Sequence, residues 1–301
     1  MKSKKIIVTG GAGFIGSHLV DALSRENQVT VIDNLSTGRK ENLNPAAEFI
    51  KTDISRQNAF SSISSADVIF HLAAQTSVMR SMEAPHDDFR SNALGTINVL
   101  ELAKQLNSKV VYTSSCAIYG EPASLPVKET HAVNPISPYA VSKLAAEKLS
   151  SAYSYIYGLD ATSLRLFNVY GPRQSGDYAG VISIFIENAL DCSSLKIFGD
   201  GSQFRDFVYV SDVVKALLSA ASPSLKGKVL NVGTGRTVTI NDLAKKIISL
   251  AGSESKVEHV GARKGEIHGM SSDTALLKKE FGWVPGTNLE DGLKSTIKWF
   301  S

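Results

Sequence analysis

The apolar run Ile6-Ile7-Val8 breaks directly into Thr9-Gly10-Gly11-Ala12-Gly13-Phe14-Ile15-Gly16, and an amphipathic stretch follows at once. A buried strand that ends on clustered glycines and restarts as a helix is the opening of a βα unit, which leaves few other folds open to the chain. Gly10 or Gly11 permits the tight turn. Gly13 lets the backbone come close to a pyrophosphate, whose charge then meets the free N–H groups and positive dipole end of a helix starting near Phe14 and Ile15. Gly16 allows the helix to lie close against the strand. Asp33 ends the next apolar run, within the ~20 residues at which an acid reaches an adenosine ribose. A carboxylate there accepts from the ribose diol and repels a 2′-phosphate, so NAD is expected rather than NADP.

Apolar runs continue to alternate with amphipathic stretches through the first half. Strands are expected at 5–9, 29–32, 48–51, 68–71, 109–113 and 161–166, with helices at 17–25 and 92–106. This is the pattern of an α/β protein with a Rossmann-type doubly wound parallel sheet. After Gly171-Pro172-Arg173 the regularity weakens and glycines cut the chain into short elements. At 301 residues the chain has room for two domains. The expected division is an NAD-binding domain over 1–171 and a smaller α/β substrate-binding cap over 172–301, with segments free to interleave and a cleft between the two as the natural ligand site.

Hydrophobic residues make up 43% and charged residues 20%, a globular composition, and the formal charge is +3. Lys2-Ser3-Lys4-Lys5 is the one tight basic group and reads as the solvated start of a strand, so no nucleic-acid partner is expected. Cys116 and Cys192 form neither a disulfide framework nor a zinc pattern, which points to a reducing, cytoplasmic setting. No stretch approaches the ~20 apolar residues of a membrane span. The six histidines lack paired metal spacing, so no metal is expected.

Tyr139-Ala140-Val141-Ser142-Lys143 opens a helical pattern and puts a phenol and an ammonium, four residues apart, on one face. A free phenol titrates near ~10; a neighbouring ammonium and a positively charged nicotinamide would both favour phenolate and make Tyr139 a general base. Ser114-Ser115 stands at the end of the fifth expected strand, where ligands of such sheets collect.

These motifs, with DNLSTG at 33–38, HLAAQ at 71–75, TSSCAIYG at 113–120, LRLFNVYGPR at 164–173, FRDFVYVSDV at 204–213 and RKGEIHG at 263–269, run nearly end to end. In them the sequence resembles the extended short-chain dehydrogenase/reductases that act on nucleotide sugars, and most of all their UDP-glucose 4-epimerases. The resemblance implies catalytic roles for Ser115, Tyr139 and Lys143: Ser115 binds the sugar 4-hydroxyl and assists proton transfer to Tyr139, and Lys143 binds the nicotinamide ribose. It further implies an NAD site of Gly10, Gly13, Phe14, Ile15, Gly16, Asp33, Asn34, Ser36, Thr37, Gly38, Asp53, Ile54, Leu72, Ala73, Ala74, Gln75 and Asn92, together with Tyr139 and Lys143. Ser77, Ser115, Tyr139, Asn168, Lys196, Phe198, Arg205, Arg263 and Glu266 would contact a UDP-sugar. A guanidinium suits phosphate oxygens, yet Arg205 beside Asp206 and Arg263 before Glu266 read equally well as internal ion pairs. A homodimer built on the helices at 92–106 and 139–157 is also implied.

The implied reaction is reversible 4-epimerisation of a UDP-hexose, UDP-glucose and UDP-galactose first, through a 4-keto sugar. Dehydratases and decarboxylases of this family carry acids after the catalytic hydroxyl; here Cys116 and Ala117 stand there, and neither supplies a carboxylic acid. Met270 resembles the position bordering the hexose, where epimerases carry a large Tyr, so UDP-N-acetylglucosamine and UDP-glucuronate stay open as substrates. A non-catalytic NAD-binding sensor on the same fold is the reading from another class; retention of Ser115, Tyr139 and Lys143 speaks against it.

Overall fold

β-Branched and aliphatic side chains dominate the short runs that become strands in the computed structural model, which describes residues 1–174, 180–262 and 267–301. β1 (Lys5–Thr9), β2 (Gln28–Asp33), β3 (Glu48–Lys51), β4 (Val68–His71), β5 (Lys109–Ser115), β6 (Ala161–Leu166) and β7 (Val229–Val232) form one sheet in the order β7-β6-β5-β4-β1-β2-β3. The pairings from β3 across to β6 are parallel; Ile7, for example, stands opposite Thr30 on one side and Ile69 on the other. With its flanking helices this is the expected Rossmann-type sheet. The chain leaves β1 toward β2 and β3 and then crosses back to β4. The carboxyl ends of β1 and β4 therefore frame the switch point at which such sheets bind ligands.

α1 (Phe14–Leu23) follows the glycine loop, and α2 (Val78–Glu83) and α3 (Pro85–Phe89) follow β4. The helix expected from Asn92 onward is more irregular than its apolar spacing suggested: a π turn over Arg90–Leu94 leads into α4 (Gly95–Leu106). α5 (Pro138–Ile156) is capped by Ser137, whose hydroxyl accepts from the Ala140 N–H at 3.2 Å, and Pro138 in its first turn needs no N–H partner there. Val99, Leu100 and Ala103 of α4 and Ala146 of α5 bury themselves with Ile7, Ile69, Val110 and Tyr112 of the sheet. No helix among the described residues is long and apolar enough to cross a membrane.

The chain divides into two compact units that interleave. The first contains residues 1–118, 135–166 and 214–230; the second contains 119–134, 167–213 and 231–301. In the second unit Asn168–Tyr170 pairs in parallel with Phe207–Tyr209, and Phe204–Arg205 runs between Val238–Thr239 and Gly269–Met270. Helices Val181–Leu190, Ile240–Ala251 and Leu289–Phe300 enclose its core through Ile186, Leu243 and Leu293. Met270 is 1% exposed there.

Candidate active site

Two of the loop glycines show why the motif demands them. Gly10 has φ +73°, and a Cβ on it would stand 2.7 Å from the Ala73 nitrogen, so Gly10 is the turn residue and Ala73 its close neighbour across the switch point. A Cβ on Gly16 would meet the Gly10 carbonyl oxygen at 2.1 Å, which is how α1 comes so near β1. Gly13 is the N-cap of α1 and supplies no capping side chain. The first turn of the helix thus keeps backbone N–H groups for an outside anion. Asp33, 7% exposed, accepts from the Ala12 N–H at 3.0 Å and the Leu35 N–H at 2.8 Å. Burial raises its pKa while these two bonds oppose the rise. Each oxygen retains a lone pair, which suits a ribose diol. An uncapped helix end, a glycine cradle and an anchored acid together fit a dinucleotide.

The rest of the expected cofactor set divides in two. Asn34, Ser36 and Thr37 are exposed on the loop after β2, with Gly38 half-buried, and Asp53 is held by the Ser55 N–H at 2.9 Å and the Ser55 hydroxyl at 2.8 Å. Leu72, Ala73 and Ala74 line the half-buried stretch after β4. The Ile54 side chain, in contrast, is core, and its carbonyl accepts from the Asn98 amide at 2.8 Å. Asn92 is 2% exposed and its amide is committed inside the protein, to Gln75, Asp88 and Ser142. Gln75 bonds Ser77 and Asp88 in turn, and the Ser77 hydroxyl caps α2 by accepting from the Arg80 N–H at 3.1 Å. Gln75 and Asn92 hold the wall of the site, and Ser77 holds the start of a helix.

His71 links this wall to the glycine loop. The Thr96 hydroxyl donates to the Asn92 carbonyl at 2.5 Å, so it accepts from His71 Nε2 at 2.9 Å; His71 Nδ1 then accepts from the Thr9 hydroxyl at 2.8 Å. Burial, with the Lys143 charge adding to it, pushes the imidazole down to about 3. The ring is a neutral strut.

The reacting groups come from β5 and α5. Successive strand residues point to opposite faces, and the two serines separate accordingly. Ser114 is buried and donates to Glu147 at 2.7 Å; Ser115 is half-buried, and its hydroxyl acts to lower the pKa of the Tyr139 phenol. Ser115 Oγ also accepts from the Ala117 N–H at 3.2 Å, which leaves its own proton for the phenol oxygen. Burial raises Tyr139 to about 12; the Ser115 bond opposes this, and Cys116 and Asp88 add to it. Lys143 is 4% exposed, donates to the Thr113 carbonyl at 2.6 Å and lies 4.8 Å from the Tyr112 ring centre. Burial lowers it to about 7, opposed by Asp88 and then Glu147.

Two buried acids here had no place in the sequence reading. Glu147 continues the Tyr139–Lys143 face by one turn and makes a two-pronged pair with Arg165, at 2.7 and 3.0 Å. Asp88 accepts from Ser142 at 2.5 Å, Gln75 at 2.9 Å and Asn92 at 3.2 Å. The i, i+4, i+8 spacing could have revealed Glu147. Asp88, beside the exposed Asp87, looks in sequence like half of a solvated helix start.

In the second unit Asn168 is half-buried, its amide donating to the Asp206 carbonyl at 3.4 Å, while Arg205 donates to the carbonyls of Phe204 and His268 at 2.8 and 3.2 Å. The Asp206 carboxylate is 0% exposed and takes five bonds from the N–H and hydroxyl of Thr234, the N–H of Gly235, and the N–H and hydroxyl of Ser272. Asp206 therefore ties a loop down from behind Arg205. Lys196 is exposed and Phe198 half-buried on Leu195–Phe198, which pairs with Val257–Val260. Arg263 and Glu266 lie outside the described residues. No group of three or more His, Cys, Asp or Glu among the described residues is placed to hold a metal ion.

A family model described as the NAD dependent epimerase/dehydratase family matches residues 6–233. The chain belongs to this family. As a member of the NAD-dependent epimerase/dehydratase family it is an enzyme of the epimerase class and its cofactor is NAD, in accord with the glycine cradle and Asp33. It is 45% identical, over 98% of its length and 97% of the relative's, to a protein of Methanocaldococcus jannaschii whose UDP-glucose 4-epimerase assignment is itself provisional. Among solved structures it is similar to the UDP-glucose 4-epimerase of Thermotoga maritima with UDP-glucose, at 41% identity, TM-score 0.95 and 98% coverage of both chains. It is equally similar in fold to the UDP-N-acetylglucosamine 4-epimerase of Methanobrevibacter ruminantium in complex with UDP-N-acetylmuramic acid, at 39% identity, TM-score 0.95, and 100% and 99% coverage.

Proposed function

We propose that this enzyme interconverts UDP-glucose and UDP-galactose by inversion at C4 of the hexose. The observation that carries the reading is the placement of Tyr139 and Lys143 one helical turn apart on α5, with Lys143 buried and bonded to the Thr113 carbonyl of β5, the strand that ends at Ser115. Tyr139 takes the 4-hydroxyl proton, directly or through Ser115, and later returns it. NAD held there would supply the hydride acceptor and donor for C4, and its oxidised nicotinamide carries the positive charge that favours the Tyr139 phenolate. The residues assigned to it are the Gly10–Gly16 loop, Asp33 and the half-buried turn at 72–74. Lys143 orients the cofactor ribose and adds positive charge that favours ionisation of the half-buried phenol. Asn168 and Arg205, with Arg263 and Glu266 outside the described residues, are assigned to the nucleotide diphosphate and ribose, and Lys196 and Phe198 to the uracil.

Cys116 and Ala117 open the short turn after Ser115, and neither brings a carboxylic acid to a leaving hydroxyl or carboxylate; this supports simple epimerisation over dehydration or decarboxylation. Likeness to the Methanobrevibacter ruminantium enzyme favours UDP-N-acetylglucosamine as the second substrate to test. The proposal includes a reducing cytoplasm, in keeping with two free cysteines, and a homodimer, in keeping with the exposed Met79, Met82, Phe89 and Leu94.

Incubation with UDP-glucose, UDP-galactose and their N-acetyl forms separately, with products resolved by chromatography, tests the reading. Interconversion of the first pair is expected. An unchanged outcome with every UDP-hexose would end it, and faster turnover of the N-acetyl pair would reassign the sugar.

A further inference from the structure

We propose that Asp88 is a positioning residue of the active site: its carboxylate is the counter-charge that keeps the buried Lys143 protonated, and its bond to Ser142 fixes the helical turn joining Tyr139 to Lys143. The inference rests on the reading of Tyr139 and Lys143 as the catalytic pair.

The argument is one of charge balance in a buried place. Lys143 is 4% exposed, and its ammonium donates to a neutral carbonyl, that of Thr113. An ammonium so placed loses most of its hydration and sheds its proton unless an anion stands near. Two carboxylates, both 1% exposed, belong to its surroundings: Glu147 one turn further along α5, and Asp88, which bonds the adjacent Ser142. Glu147 is already matched by Arg165 in a two-pronged pair and takes the Ser114 hydroxyl as well. Asp88 is different. Its donors among the described residues are Ser142, Gln75 and Asn92, all neutral. A buried anion with neutral partners and a buried cation with a neutral partner thus sit on adjoining helices, and each is the other's compensation. The shifts agree: burial raises Asp88 with Lys143 among the influences opposing it, and Asp88 is the foremost influence opposing the fall of Lys143.

Other ionisable groups on the elements packed against α5 do not take this place. His71 is neutral, and burial holds Tyr112 far above its ordinary value, so it too is uncharged. Arg80, Glu83, His86, Asp87 and Arg90 are exposed. Glu101 pairs with Lys104 on α4 at 2.7 Å, and Lys109 with Asp160 at 2.7 Å. The bond to Ser142 adds geometry to charge, because the same hydroxyl lies 3.0 Å from the Tyr139 carbonyl and so braces the turn that carries the phenol.

Asp88→Asn is close to a pure charge change. The amide oxygen can keep the bonds from Gln75 and Asn92, and the amide nitrogen can donate to Ser142, whose proton then turns to the Tyr139 carbonyl. The readout is the titration of the Lys143 side chain in the cofactor-free protein, followed by NMR of 13Cε-lysine and assigned by its loss in Lys143→Arg. Asp88→Asn is expected to lower the Lys143 midpoint by about one pH unit or more. The alkaline limb of the kcat/KM profile should move down with it, and Asp88→Glu should restore both. Ser142→Ala, which keeps the charge, should leave the midpoint near its wild-type value while lowering kcat. An unmoved Lys143 midpoint in Asp88→Asn overturns the proposal. Should that variant not fold, the wild-type Lys143 resonance must show a second inflection as Asp88 titrates, and its absence is equally fatal. A wild-type enzyme that epimerises no UDP-hexose brings down the functional reading, while the cofactor-free titration still decides Asp88.

Discussion

A phenol held near 12 is a poor base at neutral pH, so the Tyr139 pocket is built to be activated by positive charge arriving with the cofactor. Tyr139→Phe removes the proton acceptor and little else; turnover should fall by roughly 10²–10⁴-fold with nucleotide binding retained, as read by steady-state kinetics beside calorimetric titration. His71 gives a prediction of stability against pH. Its folded-state value of about 3 lies below the 6.5 of an unperturbed imidazole, so between these values the unfolded chain binds the proton and the folded one does not. Stability is therefore fully present above about 6.5 and is lost as the pH falls toward 3, by about 2 kcal/mol at pH 5. Urea denaturation at pH 7.5 and 5.0 should show this loss in the wild type and much less of it in His71→Asn. At this scale the sequence speaks most clearly where chemistry dictates residue type, as at Gly10 and Gly16, where a Cβ would collide with backbone, and at Asp33, which two backbone N–H groups hold. It was not legible where a polar side chain works inward. Asn92 and Gln75 read as ligands of a cofactor, and the structure adds inward bonds that depend on three-dimensional neighbours: the Asn92 amide to Asp88, Ser142 and the Gln75 backbone, the Gln75 amide to Asp88 and the Ser77 backbone.

α5 is the element on which the site depends most, because Tyr139, Lys143 and Glu147 occupy one face of it. Its start is fixed by the Ser137 cap, and Ser137→Ala should cost about 1 kcal/mol in chemical denaturation. Its middle is fixed by the Glu147–Arg165 pair, 1% and 5% exposed at the side chains. Glu147→Ala takes the two-pronged carboxylate away from a buried guanidinium and should cost about 3–5 kcal/mol. A much smaller loss would mean that water or another acid reaches Arg165. Strands with continuous apolar runs were legible from sequence, as was α5 from its period. β7 was missed because Val229-Leu230 offers two apolar residues before Asn231, too short a run to stand out from a loop. The π turn at Arg90–Leu94 was missed because hydrophobic spacing registers which face is buried and is blind to one extra residue in a turn.

For the molecule as a whole, a ligand that binds the folded state alone stabilises it by mass action, and NAD at 100 times its dissociation constant should add about 2.7 kcal/mol. A thermal melt with and without NAD measures this, and the increment should shrink in Asp33→Ala, which removes the carboxylate proposed to hold the ribose. The change of regularity after Gly171 is what suggests a division in the sequence; the return of residues 214–230 to the first unit was not legible, since nothing in the local pattern announces that a chain will return to a sheet it has left. That return shapes how the protein can be made. Residues 214–230 belong to the first unit, and the edge strand β7 ends at Val232. A chain stopped after residue 171 would lack its seventh strand and leave the flank of β6 bare, an invitation to aggregate. On the ribosome the dinucleotide-binding sheet must wait, incomplete, while some sixty residues destined mostly for the other unit are synthesised, and closes only when the returning segment emerges.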